Sequence, residues 1–203
     1  MIREVRIGWA EGTSWISRMI NRIDASEIDG NKVPSRISHT YLRFIFENED
    51  EPTWVYESLI SAGVRPSPFS HLMKALKDGR VRNVVEKPLA MTSEEMQIVW
   101  DRAVSTHGKG YDRKLVLLYY IWQRVFKGRF AARLLRLNNP DKYTCNEFVF
   151  KCLTGVAPEL EHVLMKTKQT PENLFKAFVG VSSALFLRDV KDGAFIEVQQ
   201  PPD

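Results

Sequence analysis

The chain has 203 residues, 44% of them hydrophobic and 27% charged, with a formal net charge of +4. That length supports one domain with a sizeable core, and those proportions exclude a disordered or fibrous chain. The longest apolar stretch, Val116 to Trp122, is too short to span a bilayer, and the charged start at Arg3, Glu4 and Arg6 does not read as a secretory leader, so a cytoplasmic protein is expected.

Taken in chain order, Val5 to Trp9 is a short apolar run that reads as a buried strand. Gly12-Thr13-Ser14 then supplies a break and a cap for a helix to about Ile23. Ile37 to Phe46 and Thr53 to Leu59 read as strands joined by a turn over Asn48 to Pro52, which makes a hairpin. Val81 to Glu86 is a weaker strand signal, ended by Pro88. Thr92-Ser93-Glu94-Glu95 is a capping box that opens a helix to roughly Ser105, and a further helix is expected from about Asp112 to Phe126. Thr144-Cys145-Asn146-Glu147 repeats the box for a helix to about Leu153, and Thr170-Pro171 starts another to about Phe178. Residues 199–203 read as a flexible tail. The mixture predicts a single α+β domain over residues 1–203 with a central antiparallel hairpin.

Two cysteines seven residues apart on one helix lie roughly 10 Å apart, beyond the reach of a disulfide, so both are expected as free thiols in a reducing compartment. Cys145 is the first residue of its helix, where unpaired backbone N–H groups and the positive end of the dipole favour a thiolate and can line an oxyanion hole. The plainer reading is a core cysteine sharing one helical face with Phe148, Val149 and Cys152. Cys152, in the helix interior, reads as core.

Of the four histidines, His39 is the best placed to act as a base. If Phe46 faces Pro52 in the hairpin, His39 faces Leu59 and Glu57 is its diagonal neighbour on the same side of the sheet, about 7 to 8 Å away. Glu57 can then hold one ring nitrogen and leave the other for Cys145, the nucleophile, base and orienter logic of a triad. A slip of one residue would put the two on opposite faces. His71, His107 and His162 read as surface or cap residues, and Tyr143 is either a phenol donor to the oxyanion or the substrate or a ring with a packing role. No ligand spacing for a metal and no glycine-rich phosphate loop is present, so no metal or cofactor is expected.

Basic residues crowd one stretch: Lys109, Arg113, Lys114, Arg124, Lys127, Arg129, Arg133 and Arg136, against the single acid Asp112. A solvated helix face is one reading, and a binding module for an anionic partner is the other. No nucleic-acid motif accompanies the charge.

The pieces Gly12-Thr13-Ser14-Trp15-Ile16-Ser17-Arg18, Ser38-His39-Thr40-Tyr41, Trp54-Val55-Tyr56-Glu57-Ser58 and Tyr143-Thr144-Cys145-Asn146-Glu147-Phe148-Val149 resemble, in their order, the circularly permuted NlpC-type branch of the papain-like cysteine peptidases, the group containing the YiiX-like amidohydrolases. Histidine precedes the acid and the cysteine here, whereas ordinary papain-like enzymes place cysteine first. The resemblance spans roughly Ile7 to Leu153. It implies a permuted papain-like fold with a small antiparallel sheet packed on the cysteine helix, Cys145 as nucleophile, His39 as base and Glu57 as third member. It also implies cleavage of an amide or ester acyl bond through a thioester by a peptidase or amidase. A lipid acyl hydrolase or acyltransferase on the same triad is the neighbouring possibility. The chain departs from the family at Thr40, where a small aliphatic residue is usual, and in the long stretch between Glu57 and Cys145, read as including a helical, basic insertion over about 90–136.

Overall fold

Alternating apolar residues make the sheet that carries the site. The computed structural model describes residues 1–48, 53–114, 116, 141–157 and 170–199. Six strands run β6-β5-β4-β1-β7-β8: β1 is Ile2–Gly12, β4 His39–Phe46, β5 Trp54–Leu59, β6 Gly63–Pro68, β7 Val81–Pro88 and β8 Ala194–Glu197. All neighbours are antiparallel except β7 and β8, which are parallel. The chain is therefore α+β, but its sheet is larger than the small antiparallel one expected, and it is mixed. Its two edges were hidden in the sequence for different reasons. Strand β6 contains Pro66 and Pro68, tolerable because β6 is an edge strand, and β8 is only four residues long. A separate hairpin pairs β2 (Ser26–Ile28) with β3 (Asn31–Val33) around Asp29 and Gly30, both at positive φ as a tight hairpin turn requires.

The central hairpin has the expected register. Tyr41 faces Glu57 and Phe44 faces Trp54, so Glu57 shares a face of the sheet with Tyr41 and, two residues earlier, His39.

One face of the sheet presents Val5, Ile7, Trp9, Leu42, Phe44, Tyr56 and Val85 to the main core. Three helices cover it: α3 (Ser93–Ser105), α4 (Cys145–Leu153) and α5 (Pro171–Val179). Each begins where the sequence says, at a Thr92, Thr144 or Thr170 cap whose side chain accepts a backbone N–H. Phe148, Val149 and Leu153 of α4 are fully buried, and the Trp9 indole meets the Phe175 ring edge-on at 5.2 Å. Helix α3 lies inside the stretch read as a helical insertion at about 90–136, yet it packs on β1 and α4 as part of this core. Of that stretch, residues 115 and 117–136 lie outside the described residues.

The opposite face is organised by one absent side chain. Gly8 sits between Tyr41 on β4 and Glu86 on β7. The Tyr41 ring crosses directly over it and donates to Glu86 Oε1 at 2.7 Å. A Cβ on Gly8 would fall 2.1 Å from that ring. Arg43 reaches Glu86 Oε2 at 3.2 Å and lies over the Phe69 ring of α2 (Phe69–Lys77), which covers this side together with α1 (Trp15–Ile23). A short helix, α6 (Ser183–Phe186), completes the helices of the described residues. None of these is long and apolar enough to cross a membrane.

Candidate active site

Cys145 occupies the first position of α4. Thr144 Oγ1 accepts the Glu147 N–H at 3.3 Å and the Glu147 carboxylate accepts the Thr144 N–H at 2.8 Å, so the capping box is formed at both ends. The helix start is held by this pair, and the remaining N–H groups of the first turn have no intrahelical acceptor. Burial pushes the Glu147 carboxyl up, partly opposed by its bonds to Thr144.

His39 opens β4, and its entry is fixed by Ser38. The Ser38 N–H donates to the Ala10 carbonyl at 3.1 Å, and Ser38 Oγ accepts the Gly12 N–H at 3.0 Å. The His39 ring meets Glu57 at 2.8 Å between Nε2 and Oε2, and Ser67 donates to the other carboxylate oxygen at 3.1 Å. With Nε2 committed to Glu57, the second ring nitrogen remains, and Cys145 lies close enough to the ring to act on its protonation. Of the three residues singled out in the sequence, His39 and Glu57 are in direct contact, and Cys145 is a neighbour whose charge reaches the ring.

Electrostatics follow from this geometry. Burial by itself would lower the His39 pKa, but the hydrogen bonds and negative charge of Cys145 and Glu57 override it and raise it to about 10. Burial would raise Glu57, yet the bonded and charged His39, then Ser67 and Arg65, hold its carboxyl below the ordinary value. Cys152, by contrast, is wholly enclosed, and burial pushes its thiol up to about 12. Both cysteines are free thiols.

His39 and Glu57 form part of the wall of a cavity of about 660 Å³. Ile16 and Ile20 of α1, Leu59 and Ile60 at the end of β5, and Leu72 and Val81 give it apolar sides. Thr13, between the lining residues Gly12 and Ser14, donates from its N–H and hydroxyl to the carbonyl of Arg80, another lining residue, at 3.1 and 3.0 Å. The His39 side chain is 20% exposed, whereas Cys145 is 4% exposed and is not part of the cavity wall.

One residue of the site carried no sequence signal. Tyr111 lines the cavity near His39, and its phenol is pushed well above its ordinary pKa by burial first and then by the charge of Cys145. It sits in a Gly-Tyr-Asp loop without periodicity, so nothing in the pattern marks it. For Tyr143, read as either a phenol donor to the oxyanion or substrate or a packing residue, the structure has the packing role: its ring lies against the main core with Lys109 Nζ 5.6 Å above it, outside the cavity wall.

The remaining candidates separate. Lys109 lies 3.6 Å from Asp141, Arg113 donates to the Ile60 carbonyl at 2.9 and 2.7 Å, and Lys114 borders a smaller cavity of about 490 Å³. Arg124, Lys127, Arg129, Arg133, Arg136 and His162 lie outside the described residues. His71 is exposed at the rim of the main cavity, and His107 is exposed at the end of α3. Among the described residues no cluster of His, Cys, Asp and Glu could hold a metal ion. Neither a family model nor a curated protein matches the sequence.

Proposed function

We propose that this protein is a cysteine hydrolase, a peptidase or amidase, working through a Cys145, His39 and Glu57 triad on a permuted papain-like fold. The observation that carries the reading is the His39 ring held by Glu57 at 2.8 Å, with Cys145 at the first position of α4 close enough to raise the ring's pKa. His39 takes the Cys145 proton, and the sulfur attacks the acyl carbon and forms a C–S bond. The electron pair displaced onto the carbonyl oxygen is met by the N–H groups at the start of α4. Collapse breaks the C–N bond, and the leaving amine takes the proton from His39. Water then attacks the thioester and gives a proton to His39, and the acid departs as Cys145 is restored. Glu57 keeps the ring oriented and offsets its charge, and Ser67 keeps Glu57 in place. Substrate enters along the cavity, past His39 and Tyr111, to the enclosed sulfur.

The apolar walls at Ile16, Ile20, Leu59, Ile60, Leu72 and Val81 favour a second reading, a lipid acyl hydrolase or acyltransferase on the same residues. A panel of peptide anilides and fatty-acyl esters separates the two. Turnover of either, abolished by Cys145→Ala and kept by Cys152→Ala, is the expected result. Turnover that survives Cys145→Ala removes the triad from both readings.

A further inference from the structure

We propose that the cavity beside His39 selects substrates bearing an anionic group, a carboxylate or a phosphate, and that Arg65 and Lys74 hold it; this rests on the hydrolase reading above. Arg65 lies directly opposite Glu57 in the pairing of β5 and β6, so its side chain is on the same face as the triad carboxylate. Glu57 feels the Arg65 charge but forms no ion pair with it, because one of its oxygens is bound by His39 and the other by Ser67. Lys74 borders the same cavity from helix α2. On α2, His71, Lys74 and Ala75 all border the cavity, the spacing of one helical face. Neither Arg65 nor Lys74 has an ion-pair partner among the described residues, whereas Arg80, the third cation of the wall, lies 3.2 Å from Asp78.

Two walls therefore carry positive charge around a concavity whose single carboxylate is already committed. Low-dielectric sides concentrate such a field, and a guanidinium offers two parallel donors to a carboxylate or phosphate. An anionic substrate brings its charge to the end of the cavity where His39 lies.

The test compares two alkylating probes that differ in charge, iodoacetate and iodoacetamide, reading Cys145 by site-resolved mass spectrometry. The iodoacetate to iodoacetamide rate ratio should exceed that of glutathione by about tenfold. It should fall to the glutathione ratio in the Arg65→Gln, Lys74→Gln double variant and be restored by Arg65→Lys, Lys74→Arg. A ratio in the wild type equal to that of the double variant overturns the proposal while leaving the hydrolase reading standing. If neither reagent reaches Cys145, the hydrolase reading fails, and the proposal with it. Protection by inorganic phosphate against protection by glutarate identifies the anion. Slowing by neither overturns anion binding at this site.

Discussion

Ser58 donates to the carbonyl of Tyr143 at 2.7 Å, tying the strand that carries Glu57 to the segment that leads into Cys145. Tyr143 in turn donates to the Gly110 carbonyl at 2.9 Å, and Val64 donates to the Lys109 carbonyl at 2.8 Å, so residues 108–112 are pinned between β6 and the entry to α4. Gly63 permits this approach: its φ is +70°, and a Cβ there would lie 2.2 Å from the Lys109 carbonyl oxygen. Replacing Ser58 with Ala leaves that carbonyl with one donor fewer, at a cost of about 1–3 kcal/mol. Turnover should fall in kcat more than in KM, because the variant moves the nucleophile relative to its base. Equal kcat in Ser58→Ala and wild type contradicts the positioning role.

Glu57→Gln should lower kcat/KM by at least about 100-fold, the low end for losing a positioned acid–base partner. The variant keeps the shape but not the charge that stabilises the protonated ring. A Glu57→Gln enzyme with unaltered kcat/KM removes Glu57 from the triad.

The raised His39 pKa also makes stability depend on pH. A group protonated more readily in the folded than in the unfolded chain contributes stability that is fully present below its unfolded value, about 6.5, and is lost as pH climbs through about 10. Urea midpoints of wild type and His39→Gln should therefore converge between those limits as pH rises. Midpoints that differ by a constant amount across the range contradict this.

Gly8→Ala tests the sheet face beneath the site. The added methyl must displace the Tyr41 ring and break its bond to Glu86, an overpacking and hydrogen-bond cost of about 3 kcal/mol together. Thermal unfolding should drop by about 6–12 °C. An unchanged midpoint means the ring and its neighbours yield without loss.

Glu172 is a buried carboxylate outside the triad. It accepts from Ser26 at 3.1 Å, from Ser35 at 2.8 Å, and from the N–H and hydroxyl of Ser183, so it joins the β2 region to α5 and α6. Glu172→Ala takes the acceptor from the Ser26 and Ser183 hydroxyls, while Ser35 keeps the Ile37 carbonyl at 3.0 Å, and should cost about 3 kcal/mol, read from denaturant midpoints. A loss below about 0.5 kcal/mol, the size of an ordinary surface substitution, contradicts the clamp.

Much of the site's local structure was readable because its signals are local. The capping boxes at Thr92 and Thr144 name their own helix starts, and hydrophobic alternation sets the hairpin register that brings His39 and Glu57 to one face. What the pattern lacked were features made only by tertiary contact. Strand β8 pairs with β7 across a long separation, α2 starts at Pro68 with no side-chain cap, and Tyr111 reaches the site from a loop. Tyr143 looked suitable by proximity in sequence, but extended backbone before the cap turns its ring toward the core and Lys109. The enclosure of Cys145 also has no sequence signature, since a cysteine followed by Phe148 and Val149 fits a core helix as well as an active one.

The most direct measurement is an NMR titration of the His39 ring in wild type and in Cys145→Ala. In the wild type the imidazole should stay protonated well beyond neutral pH and titrate toward about 10, and removing the thiol should bring that value down sharply. A ring that titrates near 6.5 in both proteins would mean that His39 and Cys145 are not partners.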